Sequence, residues 1–320
     1  MYYKYNTNIG MLEASFPINL GALALITYEY FNQSILDINT ALPRIFKNTI
    51  EIIEKYYDLK SNHEYYEYPF VINQTMFNNK VLLACTGGLD STYQAIRLKE
   101  QGYDLRLFCI CENNNRNEIA AVKQLAENLN VPFIRCNFIY QDVKVKNVFK
   151  NIVLYSLMMD YCQAENVYYI STGDDVTTDI NTLHLQTDLA KAKQLTKTLF
   201  NDLYLIYHFS FIPAIKIQKY QKLIKLEEYN LLNTFYSCVG KSELNKINRN
   251  YIQTKYNVNL YANNCGKCKK CSLYNLLAYY YLNANFSQEF VDYCWLNVSK
   301  DFRFNNKLTF DEKFNNLSNY

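Results

Sequence analysis

Two adjacent glycines follow an apolar run in the stretch VLLACTGGLDST at residues 81–92, with a carboxylate and two hydroxyls close behind them. Glycines at such a position let the backbone approach a ligand closely. Where they open a helix, the free N–H groups and the helix dipole favour an anion, most often a phosphate. The stretch matches neither the GxGxxG pattern of dinucleotide-binding folds nor the GxxxxGKS pattern of a Walker loop. The candidate phosphate-binding residues are Thr86, Gly87, Gly88, Asp90, Ser91 and Thr92.

Four of the ten cysteines form a second group with chemical potential. Cys265, Cys268 and Cys271 make two CxxC steps that share Cys268, and Cys238 lies upstream of them. Four thiolates are the closed tetrahedral ligand set that zinc prefers at structural sites. Thiolates also hold iron–sulfur clusters, so that alternative stays open. We therefore predict a four-cysteine metal site with zinc as the expected ion, and we expect the other six cysteines to be free thiols.

A third group lies in ISTGDDVTTD, at residues 170–179. Gly173 would let the backbone approach a nucleotide. Asp175 and Asp179 are candidate magnesium ligands, because hard cations prefer carboxylate oxygens. A solvated acidic loop is the alternative interpretation of these two carboxylates.

The alternation of strands and helices from about residue 80 predicts how these groups are positioned. Strands are predicted in KVLLACT, DLRLFCIC, VPFIRCNF and VYYISTG, and helices in DSTYQAIRLKEQG, NEIAAVKQLAENLN and KNVFKNIVLYSLMMDYCQAEN. This order indicates parallel βαβ units, and hence an α/β fold with a doubly wound, mostly parallel sheet. Ligands bind such sheets at the carboxyl ends of the strands, where the glycine stretch and the acidic loop are both expected.

Composition sets broader limits on function. The chain has 320 residues, 49% of them hydrophobic, and its formal charge is +3. This nearly balanced charge gives no reason to predict a nucleic-acid partner. The N-terminus has no basic region followed by an apolar stretch, and the apolar run GALALI is too short to cross a bilayer. We therefore expect a cytoplasmic protein with no membrane partner.

The string TGGLDS resembles the SGGxDS loop of the PP-loop ATP pyrophosphatases, with Thr86 in place of the usual serine. Together with TFYSC, which ends at Cys238, and CGKCKKC, it resembles one branch of that superfamily, the 7-cyano-7-deazaguanine synthases. IPAIKIQK at residues 212–219 is similar to that family's P-x5-K segment and places Lys219 at its lysine. The resemblance covers about residues 80–280.

This resemblance implies a PP-loop fold and an ATP-dependent carbon–nitrogen ligase, with ATP, Mg²⁺ and Zn²⁺ as cofactors. Members of the family adenylate 7-carboxy-7-deazaguanine, release pyrophosphate and let ammonia attack the adenylate. A second ATP then converts the amide into a nitrile, on the route to queuosine-type tRNA. The resemblance also implies a homodimer. The residues expected to take part in catalysis are Asp90, Ser91 and Lys219.

Two segments depart from the family pattern and leave the substrate open. NTLHLQTDLAKA stands where the family has a GYPDCR-like segment, and CENNNRN stands where it has a YGQRH-like one. One alternative is therefore a diverged paralogue in an antiviral defence system, which acts on another acceptor such as a protein. A second is a tRNA sulfurtransferase, which would need a reactive cysteine such as Cys85 near the ATP site. A third is a nucleotide-binding partner without enzymatic activity.

The motifs suggest four segments along the chain. Residues 1–76 form an N-terminal extension of unknown role that could contact a protein partner, and residues 77–235 form the PP-loop domain. Residues 236–285 form the zinc subdomain, and residues 286–320 a C-terminal tail. Within the extension, the helical spacing of Phe46, Ile50, Ile53 and Tyr57 predicts a helix that Pro43 starts or interrupts.

Overall fold

The chain divides into two compact units. The first comprises Met1–Ala84, Lys99–Asn114 and Pro132–Ala214, and the second comprises Cys85–Leu98, Asn115–Val131 and Ile215–Tyr320. The computed structural model describes residues 2–32, 41–57, 64–67, 76–112, 116–140, 147–173, 198, 209–215, 217–236, 242–260, 264–299 and 309–318.

The strands and helices are numbered in chain order. The described strands are β1 (Tyr3–Asn6), β2 (Gly10–Ala14), β3 (Leu42–Pro43), β4 (Tyr65–Tyr66), β5 (Lys80–Ala84), β6 (Asp104–Glu112), β7 (Phe133–Tyr140), β8 (Tyr169–Thr172) and β9 (Ser210–Ile212). The described helices are α1 (Leu20–Asn32), α2 (Lys47–Tyr57), α3 (Leu89–Glu100), α4 (Arg116–Leu129), α5 (Asn147–Glu165), α6 (Lys219–Glu228), α7 (Ser242–Tyr256), α8 (Lys269–Tyr281), α9 (Gln288–Val298) and α10 (Phe310–Ser318).

A mostly parallel sheet forms the first unit, with the strand order β1-β2-β7-β6-β5-β8-β9. The strands β7, β6, β5, β8 and β9 are parallel to one another, whereas β1 and β2 form an antiparallel hairpin whose second strand pairs antiparallel with β7. The prediction of an α/β fold with a mostly parallel sheet is therefore confirmed. From β5 the chain adds β6 and β7 on one side, and β8 and β9 on the other. The order thus reverses between β5 and β8, where Ala84 pairs with Thr172.

The sheet and the helices α1, α2 and α5 share one hydrophobic core. Helix α1 packs on α5 closely enough that a Cβ on Gly21 would lie 2.5 Å from Leu157, which explains the glycine at that position. The buried side chains of this core include Leu12, Phe16, Leu25, Leu82, Phe108, Phe138, Met158 and Phe209.

A buried carboxylate on α5 caps the start of α1. Asp160 accepts hydrogen bonds from the backbone N–H groups of Asn19 at 3.0 Å, Leu20 at 2.9 Å and Gly21 at 2.8 Å. These groups have no partner within the helix itself, so the carboxylate satisfies donors that would otherwise be buried alone. Burial raises the pKa of Asp160 to about 7, against the lowering effect of the three N–H groups.

We expect this carboxyl to make stability depend on pH. Its ordinary pKa is 3.8, so the folded chain holds the extra proton between about pH 4 and 7, and the stability from that proton is lost as the pH rises. Replacing Asp160 by Asn removes the titration. From pH 5 to pH 8 the free energy of unfolding of the wild type should therefore fall by about 2–3 kcal/mol relative to that of Asp160→Asn, at about 1.4 kcal/mol per pKa unit. Chemical denaturation at both pH values tests this, and a difference that stays constant would contradict it. The exposed Asp311→Asn is the control.

The N-terminal segment contributes to the main sheet. Residues 3–14, which the sequence assigns to an extension, supply two of its strands. The predicted helix is present as α2, while Pro43 lies in the short strand β3 and a 3₁₀ turn spans Arg44–Phe46. The four predicted segments stay predictions. Within the described ranges, no helix combines the length and apolar character that a membrane span needs.

Candidate functional site

The second unit contains the glycine turn between β5 and α3. Gly87 has a φ of +71°, a region that favours glycine. A Cβ on Gly87 would lie 2.7 Å from the Cβ of Ala121 on α4, and its carbonyl accepts a hydrogen bond from the N–H of Tyr236 at 2.6 Å. A Cβ on Gly88 would meet only ordinary contacts, the nearest being Thr86 Oγ1 at 3.6 Å. Conformation and packing therefore both require glycine at 87, and neither requires it at 88.

Hydroxyl and thiol groups complete the turn. Ser91 donates a hydrogen bond to the carbonyl of Gly88 at 3.2 Å, and the Cys85 thiol donates to Ser91 Oγ at 3.6 Å. The N–H of Thr92 donates to the same carbonyl at 2.9 Å. Its Oγ1 is buried and has no hydrogen-bond partner in the described part of the chain. Thr86 is exposed, so its hydroxyl is accessible to a ligand, whereas those of Ser91 and Thr92 are buried within the turn.

Two lysines from α6 bind the carboxylate of Asp90, in the first turn of α3. Lys219 Nζ lies 3.3 Å from Oδ1 and 3.1 Å from Oδ2, and Lys222 Nζ lies 2.6 Å from Oδ1. Residues three apart share one face of a helix, which explains why both ammonium groups reach one carboxylate. Helix α6 is held in place by Tyr220, whose ring stacks on Tyr281 of α8 with centroids 4.2 Å apart.

The two lysines determine the charge state of Asp90. Burial by itself would raise the pKa of Asp90, but the charges of Lys219 and Lys222 outweigh it and hold the pKa below its ordinary value. The carboxyl is therefore ionised at neutral pH and contacts two ammonium groups in the first turn of α3, a position that favours anions.

Three cysteines form a compact cluster before and within α8. The sulfur atoms of Cys265, Cys268 and Cys271 all lie within 4.8 Å of one another. The N–H of Cys268 donates to the sulfur of Cys265 at 3.3 Å, and the N–H of Cys271 donates to that of Cys268 at 3.4 Å. Gly266 makes the turn between them, with a φ of +69°, and a Cβ there would lie 2.6 Å from Leu260.

This cluster fits a thiophilic metal ion. Sulfur atoms at this separation can bind one ion together, and the two N–H groups support thiolate charge on Cys265 and Cys268. The predicted fourth ligand, Cys238, lies outside the described residues. Cys265 and Cys271 also pack against Ala121 and Tyr236, and both of these residues contact Gly87. The cluster and the glycine turn therefore share neighbours within the second unit.

Comparisons with other proteins do not identify a family. No protein-family model matches this chain, and no curated protein matches it significantly.

The structure places the remaining predicted site residues as follows. Gly173 directly follows β8, whose last residue pairs with Ala84 of β5. Asp175 and Asp179 lie outside the described residues. Lys222 was not predicted from the sequence. Lys222 follows Lys219 by three residues in a stretch with helical character, and this spacing could have indicated that both lysines lie on one face of a helix.

Proposed function

We propose that this chain is an ATP pyrophosphatase of the PP-loop type that activates a carboxylate as its adenylate and transfers the acyl group to an amine. The observation that supports this most directly is the glycine turn at the start of α3, with Asp90 held between two lysines. Such a turn offers N–H groups to a polyphosphate, and the lysines offer charge. The strand order agrees with a doubly wound PP-loop fold, because it reverses beside β5, the strand that leads into the turn.

The chemistry of the site suits pyrophosphate departure. A carboxylate is a poor electrophile until one of its oxygens becomes part of a good leaving group, and adenylation supplies that group. Negative charge then develops on the departing pyrophosphate. The N–H groups in the first turn of α3, Lys219 and Lys222 would stabilise that charge. Asp90, which is ionised, is suited to a magnesium ion, and bound Mg²⁺ would neutralise phosphate charge in this step.

The substrate and the remaining cofactor come from the sequence resemblance. We propose a 7-carboxy-7-deazaguanine-type carboxylate as substrate and ammonia as acceptor, with Zn²⁺ in the cysteine cluster as a structural ion. Another acceptor, such as an amine on a protein, would use the same adenylation step. A homodimer and a protein partner that binds the N-terminal segment stay predictions.

The environment of Cys85 argues against sulfur transfer. That reaction needs an accessible thiolate near the ATP site. The Cys85 side chain is buried, and burial raises its pKa even though Gly87 and Ser91 lower it. Cys85 therefore stays a protonated thiol at neutral pH, and its hydrogen bond to Ser91 gives it a structural role in the turn.

Mass spectrometry of the products tests the proposed reaction. The full chain is incubated with ATP, Mg²⁺, 7-carboxy-7-deazaguanine and ammonium, and we expect AMP, pyrophosphate and the nitrile. We expect Lys219→Met to lower the rate of AMP formation at least about 100-fold, because it removes charge that acts on the leaving group. Lys225→Met is the matched control, since this lysine lies on the same helix but pairs with Glu228 at 3.0 Å.

Each other outcome has a defined meaning. AMP with an amide or adenylate but no nitrile would indicate a halted second step or another acceptor. Tight ATP binding without any AMP would indicate a nucleotide-binding partner rather than an enzyme. No ATP binding at all would refute the proposal.

A further inference from the structure

The ammonium group of Lys222 is unusually enclosed for a lysine. Only 10% of its side chain is exposed, compared with 21% for Lys219. Its Nζ lies 2.6 Å from Oδ1 of Asp90 and 5.9 Å from the ring centre of Tyr93. Removing an ammonium group from water is costly unless an anion compensates for the lost hydration. Asp90 is such an anion, but Lys219 contacts both oxygens of the same carboxylate.

Two helix ends add to the positive potential at this place. Asp90 lies in the first turn of α3, and Lys219 is the first residue of α6. The N-terminal end of a helix has a partial positive charge, so a lysine there is unfavourable unless an anion is near. One carboxylate, in the first turn of α3, therefore contacts two ammonium groups. This arrangement can accommodate a more highly charged anion than a single carboxylate.

We propose that Lys222 is a second phosphate-binding residue, and that Asp90 occupies the two lysines as an internal anion until the pyrophosphate moiety of a nucleoside triphosphate displaces it. Both lysines then contact phosphate oxygens, and the displaced carboxylate becomes available to a divalent cation. This inference rests on the proposed function and adds to it the exchange of partners at Asp90.

The exchange predicts changes of opposite sign in two variants. Inorganic pyrophosphate is the probe, and its affinity is measured by calorimetry without Mg²⁺ and without chelator. Lys222→Met removes a phosphate partner and should weaken binding about tenfold or more, since hydrogen bonds between charged groups are the stronger ones. Asp90→Asn removes the competing anion and should strengthen binding by about tenfold. If the contacts of Asp90 with the two lysines had only a structural role, the Asp90→Asn variant would not bind pyrophosphate more tightly than the wild type.

Two further variants separate charge from folding. Lys222→Arg keeps the positive charge. Its affinity for pyrophosphate should stay within a few-fold of the wild type, because a phosphate oxygen accepts hydrogen bonds from a guanidinium as well as from an ammonium group. Lys225→Met, on the same helix, should leave the affinity unchanged. Thermal melts show whether each variant is folded. AMP is the second probe, and Lys222→Met should affect its binding less than that of pyrophosphate because AMP has no pyrophosphate moiety.

The outcomes distinguish this inference from the proposed function. If the wild type binds pyrophosphate and the folded Lys222→Met variant binds it equally well, or if Asp90→Asn binds it more weakly, the inference is wrong and the proposed function stands. If the two variants shift the affinity in opposite directions but no AMP forms with any substrate, Lys222 binds phosphate in a protein that is not a pyrophosphatase. If the wild type binds neither pyrophosphate nor ATP, both are wrong.

Discussion

Replacing Gly87 by alanine is expected to destabilise the chain by about 2–5 kcal/mol and to abolish nucleotide binding. Two costs add at this position. A non-glycine residue at a φ of +71° costs about 1–2 kcal/mol. The new Cβ would also lie 2.7 Å from that of Ala121, so α4 or the turn has to move, and overpacking costs about 1–3 kcal/mol.

Gly102 supplies a matched control for the first of these costs. Its φ is +78°, and a Cβ there would meet nothing within 4 Å. Gly102→Ala should therefore cost only the conformational part, about 1–2 kcal/mol. The difference between the unfolding free energies that the two variants lose, measured by chemical denaturation, is the cost of the contact with Ala121. Equal destabilisation by both would show that this contact is not restrictive.

A double variant tests the contact directly. Ala121→Gly alone should cost about 1 kcal/mol, because glycine is unfavourable inside a helix. In the Gly87→Ala background it removes the atom that the new Cβ meets, so the combined cost should be smaller than the sum of the two single costs. Nucleotide binding should partly return in the double variant if displacement of the turn, rather than its conformation alone, had abolished it.

Loss of the metal from the cysteine cluster is the second large expected effect. A ligand that binds only the folded chain stabilises it by about 4 kcal/mol when its free concentration is 1,000 times its dissociation constant. We therefore expect a chelator to lower the melting temperature strongly. Cys271→Ala should lower the bound metal, measured by elemental analysis after gel filtration, well below the wild-type ratio. Acidification should weaken binding too, because protons compete with the metal for the thiolates.

Cys294→Ala is the matched control for this experiment. Cys294 is also a buried thiol of the second unit, but it is not part of the cluster. Its replacement should leave the metal content unchanged. A Cys271→Ala variant that keeps its full metal content would contradict the assignment. Visible absorbance with acid-labile sulfide would identify an iron–sulfur cluster in place of zinc.

The regular part of the fold was predictable because its signals are local. The strands β5 to β8 are apolar runs, and β5, β6 and β7 are each followed by a helix, so order and type could be read from periodicity. The hairpin β1–β2 and the strand β9 were missed, because they have three to five residues each, and β2 and β9 pair with strands far away in the chain.

The candidate site was predictable only in its motifs. The sequence indicates a glycine turn and a cysteine cluster, because their residue types and spacings are specific. It does not indicate that Lys222 and Lys219 share one carboxylate, because that contact joins residues on helices far apart in the chain. The sequence also suggests one reason for glycine at position 87, the close approach of a ligand. The structure adds a second reason, because Ala121 leaves no room for a Cβ there.

The N-terminal hairpin covers what would otherwise be the open edge of the sheet. Strand β2 pairs with residues 137–140 of β7, and β1, now outermost, has Lys4 paired with Glu13 at 2.6 Å. Without the hairpin, β7 would present unpaired N–H and C=O groups that could pair with another chain. Charged side chains on the outer strand discourage such pairing. Residues 3–14 therefore cover the edge of β7, and we expect a chain shortened to residues 77–320 to self-associate more readily than the full chain.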